Sequence, residues 1–199
     1  MLPHFLLPLL RSPGADKDLL TLDVFGESMC RDTTKFINNQ LIPMYKKYHD
    51  YLYIRYHVFG PFFSTSCTKK GKHVTCSCQH GPEECSKNFL QACLIHSYPD
   101  DFDTLACIQG DTKFDEVFPN CLMQKYNETE IGRLHKCAVA GEGPLYMYVD
   151  GLAAVKLSGQ ITWVPWITIG NQRHASAEKD LETVLCQNFK STPPECFKS

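Results

Sequence analysis

The chain has 199 residues, of which 43% are hydrophobic, enough for one domain with a real core and a large insertion. A formal charge of −2 gives no basic surface of the kind that nucleic acid or an anionic membrane demands, and no apolar run is long enough to span a bilayer. Eleven cysteines beside one glycosylation sequon, Asn127-Glu128-Thr129, argue against a reducing compartment and for a secreted disulfide framework.

Phe5-Leu6-Leu7-Pro8-Leu9-Leu10 resembles a short signal-peptide core, yet no Lys or Arg precedes it and no clean small-residue cleavage site follows. Residues 1–16 are set aside as a signal remnant or disordered segment, leaving 17–199 as the folded domain. Leu20, Leu22 and Val24 then alternate with Thr21, Asp23 and Phe25 as a strand, which Gly26 and Ser28 end. Directly after Cys30 a helical pattern begins, with Ile37, Leu41, Met44 and Tyr48 on one face and a kink expected at Pro43. A cysteine is thus placed in the first turn of a helix behind a strand, where unpaired backbone N–H groups and the helix dipole favour negative charge on sulfur. Redox enzymes of the thioredoxin type use this placement with a second cysteine three residues on; here that residue is Thr33. Leu52, Ile54, Tyr56 and Val58 form one face of a second strand, completing a βαβ unit with a parallel pair.

From about residue 60 to 151 the pattern is a helical insert broken by Gly and Pro, apart from a small hairpin between Cys67 and Cys76. Pro82 reads as the first residue of a helix that aligns Cys85, Phe89 and Cys93. Phe114, Val117, Phe118 and Cys121 share another face, and Asn127 with Glu130 reads as a capping box ahead of Ile131, Leu134 and Cys137. The α/β pattern returns as a strand over Trp163–Ile169 with Pro165 near its start, then a Gly170-Asn171 turn and a last helix capped by Ser176. Cys67 and Cys76 flank one loop and are expected to bridge it, and Cys196 ties the Pro-rich tail to Cys186. Cys76, Cys78, His80 and Cys85 lack the second ligand pair of a zinc site, so no metal or other cofactor is expected.

The run Cys78-Gln79-His80-Gly81-Pro82-Glu83-Glu84-Cys85-Ser86-Lys87-Asn88, continuing to Cys93, resembles the C-Q-H-G-x-x-E-C-x-x-N…C signature of the gamma-interferon-inducible lysosomal thiol reductases. Val164-Pro165-Trp166-Ile167 is similar to that family's cis-proline segment, and the chain looks most like insect-type members with a degenerate C-x-x-C. The resemblance implies a thioredoxin-like α/β fold with a disulfide-stapled helical insertion, in a secreted or endolysosomal home. It matches Cys78, Cys85, Cys93, Cys107, Cys121, Cys137, Cys186 and Cys196 to family cysteines. The six within the insert allow fifteen connectivities and none is chosen. Five bridges then leave Cys30 alone, the candidate nucleophile, free to link two copies of the chain. The resemblance also implies reduction of protein disulfides, but Cys30-Arg31-Asp32-Thr33 lacks the resolving thiol that would release a mixed disulfide. The sequence therefore favours a protein that binds a partner over a dithiol reductase. The alternative is a weak monothiol oxidoreductase in which Thr33 supports the Cys30 sulfur and Pro165 shapes the groove for a disulfide-containing protein.

Overall fold

The structure, a computed structural model, describes residues 19–197; the segment 1–16 set aside above lies outside them. β1 (Leu20–Gly26) is followed by α1 (Arg31–Phe36), a π-helical turn (Ile37–Leu41), α2 (Ile42–Tyr48) and β2 (Leu52–Val58). The first helix is interrupted by the π turn around Asn39, four residues before Pro43, where a proline removes the hydrogen bond and crowds the carbonyl. β1 pairs in parallel with β2, Val24 facing Tyr56, and antiparallel with β5 (Trp166–Ile169), Val24 facing Ile167. The expected third strand is shorter than Trp163–Ile169 because Pro165, with a cis bond to Val164, precedes its ladder. β6 (Gln172–Arg173) closes the sheet in the order β2-β1-β5-β6 through a turn whose Gly170 and Asn171 both have positive φ.

Between β2 and β5 come the hairpin β3 (Ser66–Lys70) and β4 (His73–Ser77), then α3 (Pro82–Ser97), α4 (Phe102–Ile108), α5 (Phe114–Val117), α6 (Glu128–Ala140) and α7 (Gly143–Ser158). The boundary at about 151 falls inside α7, which continues unbroken to Ser158. Glu130 and Asn127 do form a capping box on α6. α3 buries Leu90, Cys93 and Leu94 in the main core, along with Leu134 and Ala138 of α6, and Cys93–Cys137 staples the two helices. The last helix, α8 (Leu181–Asn188), is capped by the Asp180 carboxylate, which accepts from Thr183 N–H, and not by Ser176. Ser176 is taken up in a 3-10 turn over Ala175–Glu178, so the helix starts one turn later than the sequence pattern suggests.

Because β1 is central, its polar face is buried as well as its apolar one. Asp23 is fully buried and accepts two bonds from Arg55, at 2.7 and 2.8 Å, and meets His57 Nε2 at 2.8 Å. His57 Nδ1 lies 3.1 Å from Asp150 of α7, and its ring stacks on Phe25 at 4.5 Å. Burial pushes the Asp23 carboxyl up, but the bonds from His57 and Arg55 outweigh it and hold the group below its usual range. Burial alone would discharge His57, yet the two carboxylates more than offset that and lift the imidazole to about 9.

Candidate active site

β1 ends at Gly26, where a side chain has no room: a Cβ would stand 2.5 Å from Tyr56 Oη and 2.6 Å from Thr33 Cγ2. Residues 27–29 then form a tight loop into α1, and Cys30 is its N-cap, in extended conformation. The loop's polar backbone is satisfied by the insert. Ser28 N–H donates to Asn88 Oδ1 at 2.8 Å, and Met29 N–H to Glu84 Oε1 at 3.3 Å. Gln109 Nε2 donates to Glu27 O at 2.6 Å, and Gly110 N–H to Ser28 O at 2.8 Å. Glu84 and Asn88 are both fully buried. The signature segment therefore shapes the cysteine loop as well as its own turn.

Cys30 is half-buried and free, and its Sγ lies 3.5 Å from Val164 O, directly before Pro165. Thr33 is fully buried one turn below it. The Thr33 hydroxyl has no hydrogen-bond partner among the described residues, so it does not hold the Cys30 sulfur. Sulfur approaches the Val164 carbonyl instead. A cleft of ≈ 460 Å³ opens beside this pair, lined by Asp32, Lys35, Phe36, Trp163, Val164 and Pro165. Trp163 is exposed, donates its Nε1–H to Glu178 at 3.0 Å and lies under the Arg173 guanidinium, which also covers Trp166 at 4.1 Å. The arrangement sets a half-buried thiol, a backbone carbonyl and an exposed indole around one cleft.

The other ten cysteines are paired as Cys67–Cys76, Cys78–Cys85, Cys93–Cys137, Cys107–Cys121 and Cys186–Cys196. Of the signature, Cys78 and Cys85 close a ring at the head of α3, Gly81 has φ +87° there, and Gln79 is exposed. His80 bonds Glu84 through both its N–H and its ring, each at 2.8 Å. Alkylation of the unreduced, denatured protein should thus label one thiol per chain, mapped to Cys30 by peptide mass. In a Cys30-linked dimer the label is absent until mild reductant is added, and three labelled positions would contradict the bridge set.

Sequence reasoning missed Glu27 and Gln109. Glu27 is fully buried between Thr65, Glu84 and Gly60, where a Gly60 Cβ would stand 2.0 Å from its carboxyl. Burial, then the neighbouring Glu84 charge, raise its pKa to about 7, against the Thr65 hydroxyl and His80, which favour the charged form. A glutamate three residues before a cysteine carries no spacing signal, and its burial depends on a glycine 33 positions away.

Residues 21–139 match the family model described as Gamma interferon inducible lysosomal thiol reductase (GILT). The chain belongs to the GILT family. Among relatives of this GILT chain, the GILT-like protein C02D5.2 of Caenorhabditis elegans is 33% identical over 90% of the chain, which spans only 56% of that protein's length. The GILT-like protein ZK669.3 of the same organism is 29% identical over 92% of the chain and 86% of its own length. The gamma-interferon-inducible lysosomal thiol reductase-like protein of Anopheles gambiae is 28% identical over 87% and 78%. The crystal structure of Chlamydia trachomatis DsbA superposes with a TM-score of 0.57 at 13% identity, over 94% of this chain and 95% of that one. That of oxidised BdbD from Bacillus subtilis gives 0.55 at 16% identity, over 89% and 91%. The GILT chain thus has a thioredoxin-like α/β fold, its insert stapled by disulfides.

Proposed function

We propose that this GILT-family chain captures disulfide-containing polypeptides as mixed disulfides through Cys30 alone, in a secreted or endolysosomal lumen, and does not run dithiol turnover. The supporting observation is the pairing of a free, half-buried Cys30 beside the Val164–Pro165 carbonyl with a buried Thr33 where a resolving thiol would sit. Attack by the Cys30 thiolate on a substrate disulfide forms one S–S bond, breaks another and expels a substrate thiolate. Thr33 has no second sulfur to reverse this, so release falls to an external small monothiol, which forms the next disulfide and regenerates Cys30. A presented thiol supports this reading over binding without chemistry, the role to which the residue pattern alone points. Five disulfides, and the absence among the described residues of any helix long and apolar enough to cross a membrane, are compatible with a lumenal or extracellular site. Asn127 fits as a glycan acceptor there: it is exposed, and its cap uses Oδ1 and not the Nδ2 that would carry the sugar.

The test is insulin reduction at pH 5 and 7 by wild type and Cys30→Ser, with and without a small monothiol. The expected result is a reductant-labile adduct of wild type with an insulin chain, turnover only with added monothiol, and neither with Cys30→Ser. Equal substrate retention by both proteins with no adduct would overturn the covalent reading and leave a non-covalent binding protein.

A further inference from the structure

Glu27, His80 and Glu84 come from the loop behind β1, the segment that leads into α3 and the first turn of α3. One donor atom from each lies within 4.8 Å of the others. We propose that these three side chains form a binding site for a divalent transition-metal ion, with Zn²⁺ as its representative. The set is distinct from the cysteine–histidine grouping considered from sequence, since Cys76, Cys78 and Cys85 are all held in disulfides.

Two carboxylates with one imidazole make a borderline donor set suited to Zn²⁺. Donors on one tetrahedral zinc lie about 3.3 Å apart, given bond lengths near 2.0–2.1 Å. His80 Nδ1 and Glu84 Oε1 are 2.8 Å apart, so a small rotation of the half-exposed imidazole opens the required span. The ion would take the place of the contact that now joins them. The carboxylates are oriented by neighbours in the manner of metal ligands. The Thr65 hydroxyl donates to Glu27 Oε1, while the His80 and Met29 N–H groups donate to the two Glu84 oxygens. An independent observation points to a ligand: Glu27 is fully buried, and although the Gln79 N–H is turned toward its carboxylate, no group among the described residues makes a geometrically formed hydrogen bond to Oε2. Two buried carboxylates lie close together with the His80 imidazole beside them. The nearby Lys87 turns its ammonium to Gly110 O. A 2+ ion would balance that charge and complete Glu27 Oε2 at once. His80, exposed at the surface, supplies the route of entry.

The test is equilibrium dialysis of chelator-washed protein against micromolar Zn²⁺ at pH 7, with zinc per chain read by elemental analysis. One ion per chain is expected, with affinity weakened roughly tenfold or more by Glu27→Gln and by His80→Gln, and unchanged by Cys30→Ser. Thr65→Val, which removes only the hydroxyl that orients Glu27, should weaken binding without unfolding the chain, as checked by far-UV circular dichroism. Absence of stoichiometric zinc in wild type would overturn the proposal and leave the group as a buried polar cluster that orders the loop. So would zinc that persists unchanged in both Glu27→Gln and His80→Gln, since it would then lie elsewhere.

Discussion

Thr33→Cys is expected to turn this chain into a dithiol reductase, raising the initial rate of insulin reduction roughly tenfold or more over wild type at equal monothiol. The gain comes from resolution: an intramolecular thiol acts at an effective concentration of order mM, without waiting for an external collision. Residue 33 lies one turn into the helix that Cys30 caps, and i, i+3 positions have Cα atoms about 5 Å apart, within disulfide range. The site accepts the change readily. Thr33 is fully buried, its hydroxyl has no partner among the described residues, and its methyl packs beside Gly26. Exchanging that hydroxyl for sulfur forfeits no hydrogen bond of the fold. If the variant folds and forms a reducible bridge from Cys30 to the introduced thiol yet fails to reduce insulin, the cleft has ceased to accept substrate disulfides. A non-covalent partner would then be the better reading.

Stability should be greatest near pH 4.5–5 and fall as pH rises, by several kcal/mol up to pH 9. Glu27 ionises at about 7 in the fold against 4.5 when exposed. Its pKa is raised, so its contribution is full below about 4.5 and is lost as pH rises to about 7, roughly 3 kcal/mol in all. His57 ionises at about 9 against 6.5. Its raised value likewise gives a contribution present below about 6.5 and lost by about 9, again roughly 3 kcal/mol. Asp23, whose pKa is lowered, works in the opposite sense and sets the acid limit, since its contribution disappears as pH falls below the carboxylate range. Urea midpoints at pH 5, 7 and 9, with disulfides intact and EDTA present to remove any bound metal, should fall by about 1 M or more on each leg. Glu27→Gln should flatten chiefly the pH 5–7 leg, and His57→Gln chiefly the pH 7–9 leg. A midpoint that rises from pH 5 to 9 would refute the assignment.

The parts of this molecule that were legible in the sequence are those written in short-range patterns. The βαβ start follows from the period-two runs at Leu20–Val24 and Leu52–Val58, and the α6 capping box from Asn127 and Glu130 alone. Cys30 at the head of a helix needed only its neighbours. What escaped depends on distant partners. Asp23 sits on what reads as the polar face of a half-exposed strand, and only the flanking of β1 by β2 and β5 reveals it as buried and paired with Arg55 and His57. The cap of α8 moved from Ser176 to Asp180 because a 3-10 turn consumed the earlier residue, a choice that local propensity does not decide. Glu27 and Gln109 carry no motif at all. Their roles exist because the insert folds back over the cysteine loop.

That folding back has a consequence for how the chain can vary. The peptide groups on either side of the thiol's loop are completed by side chains 55 to 82 positions further along, at Glu84, Asn88 and Gln109. A saturation-mutagenesis map scored on thiol reactivity would therefore light up three buried places outside the loop itself. A minimal version with the insert cut away would not be a smaller reagent with the same sulfur: it would expose the very amides that aim it. In this protein the embellishment and the cysteine loop fold as one piece.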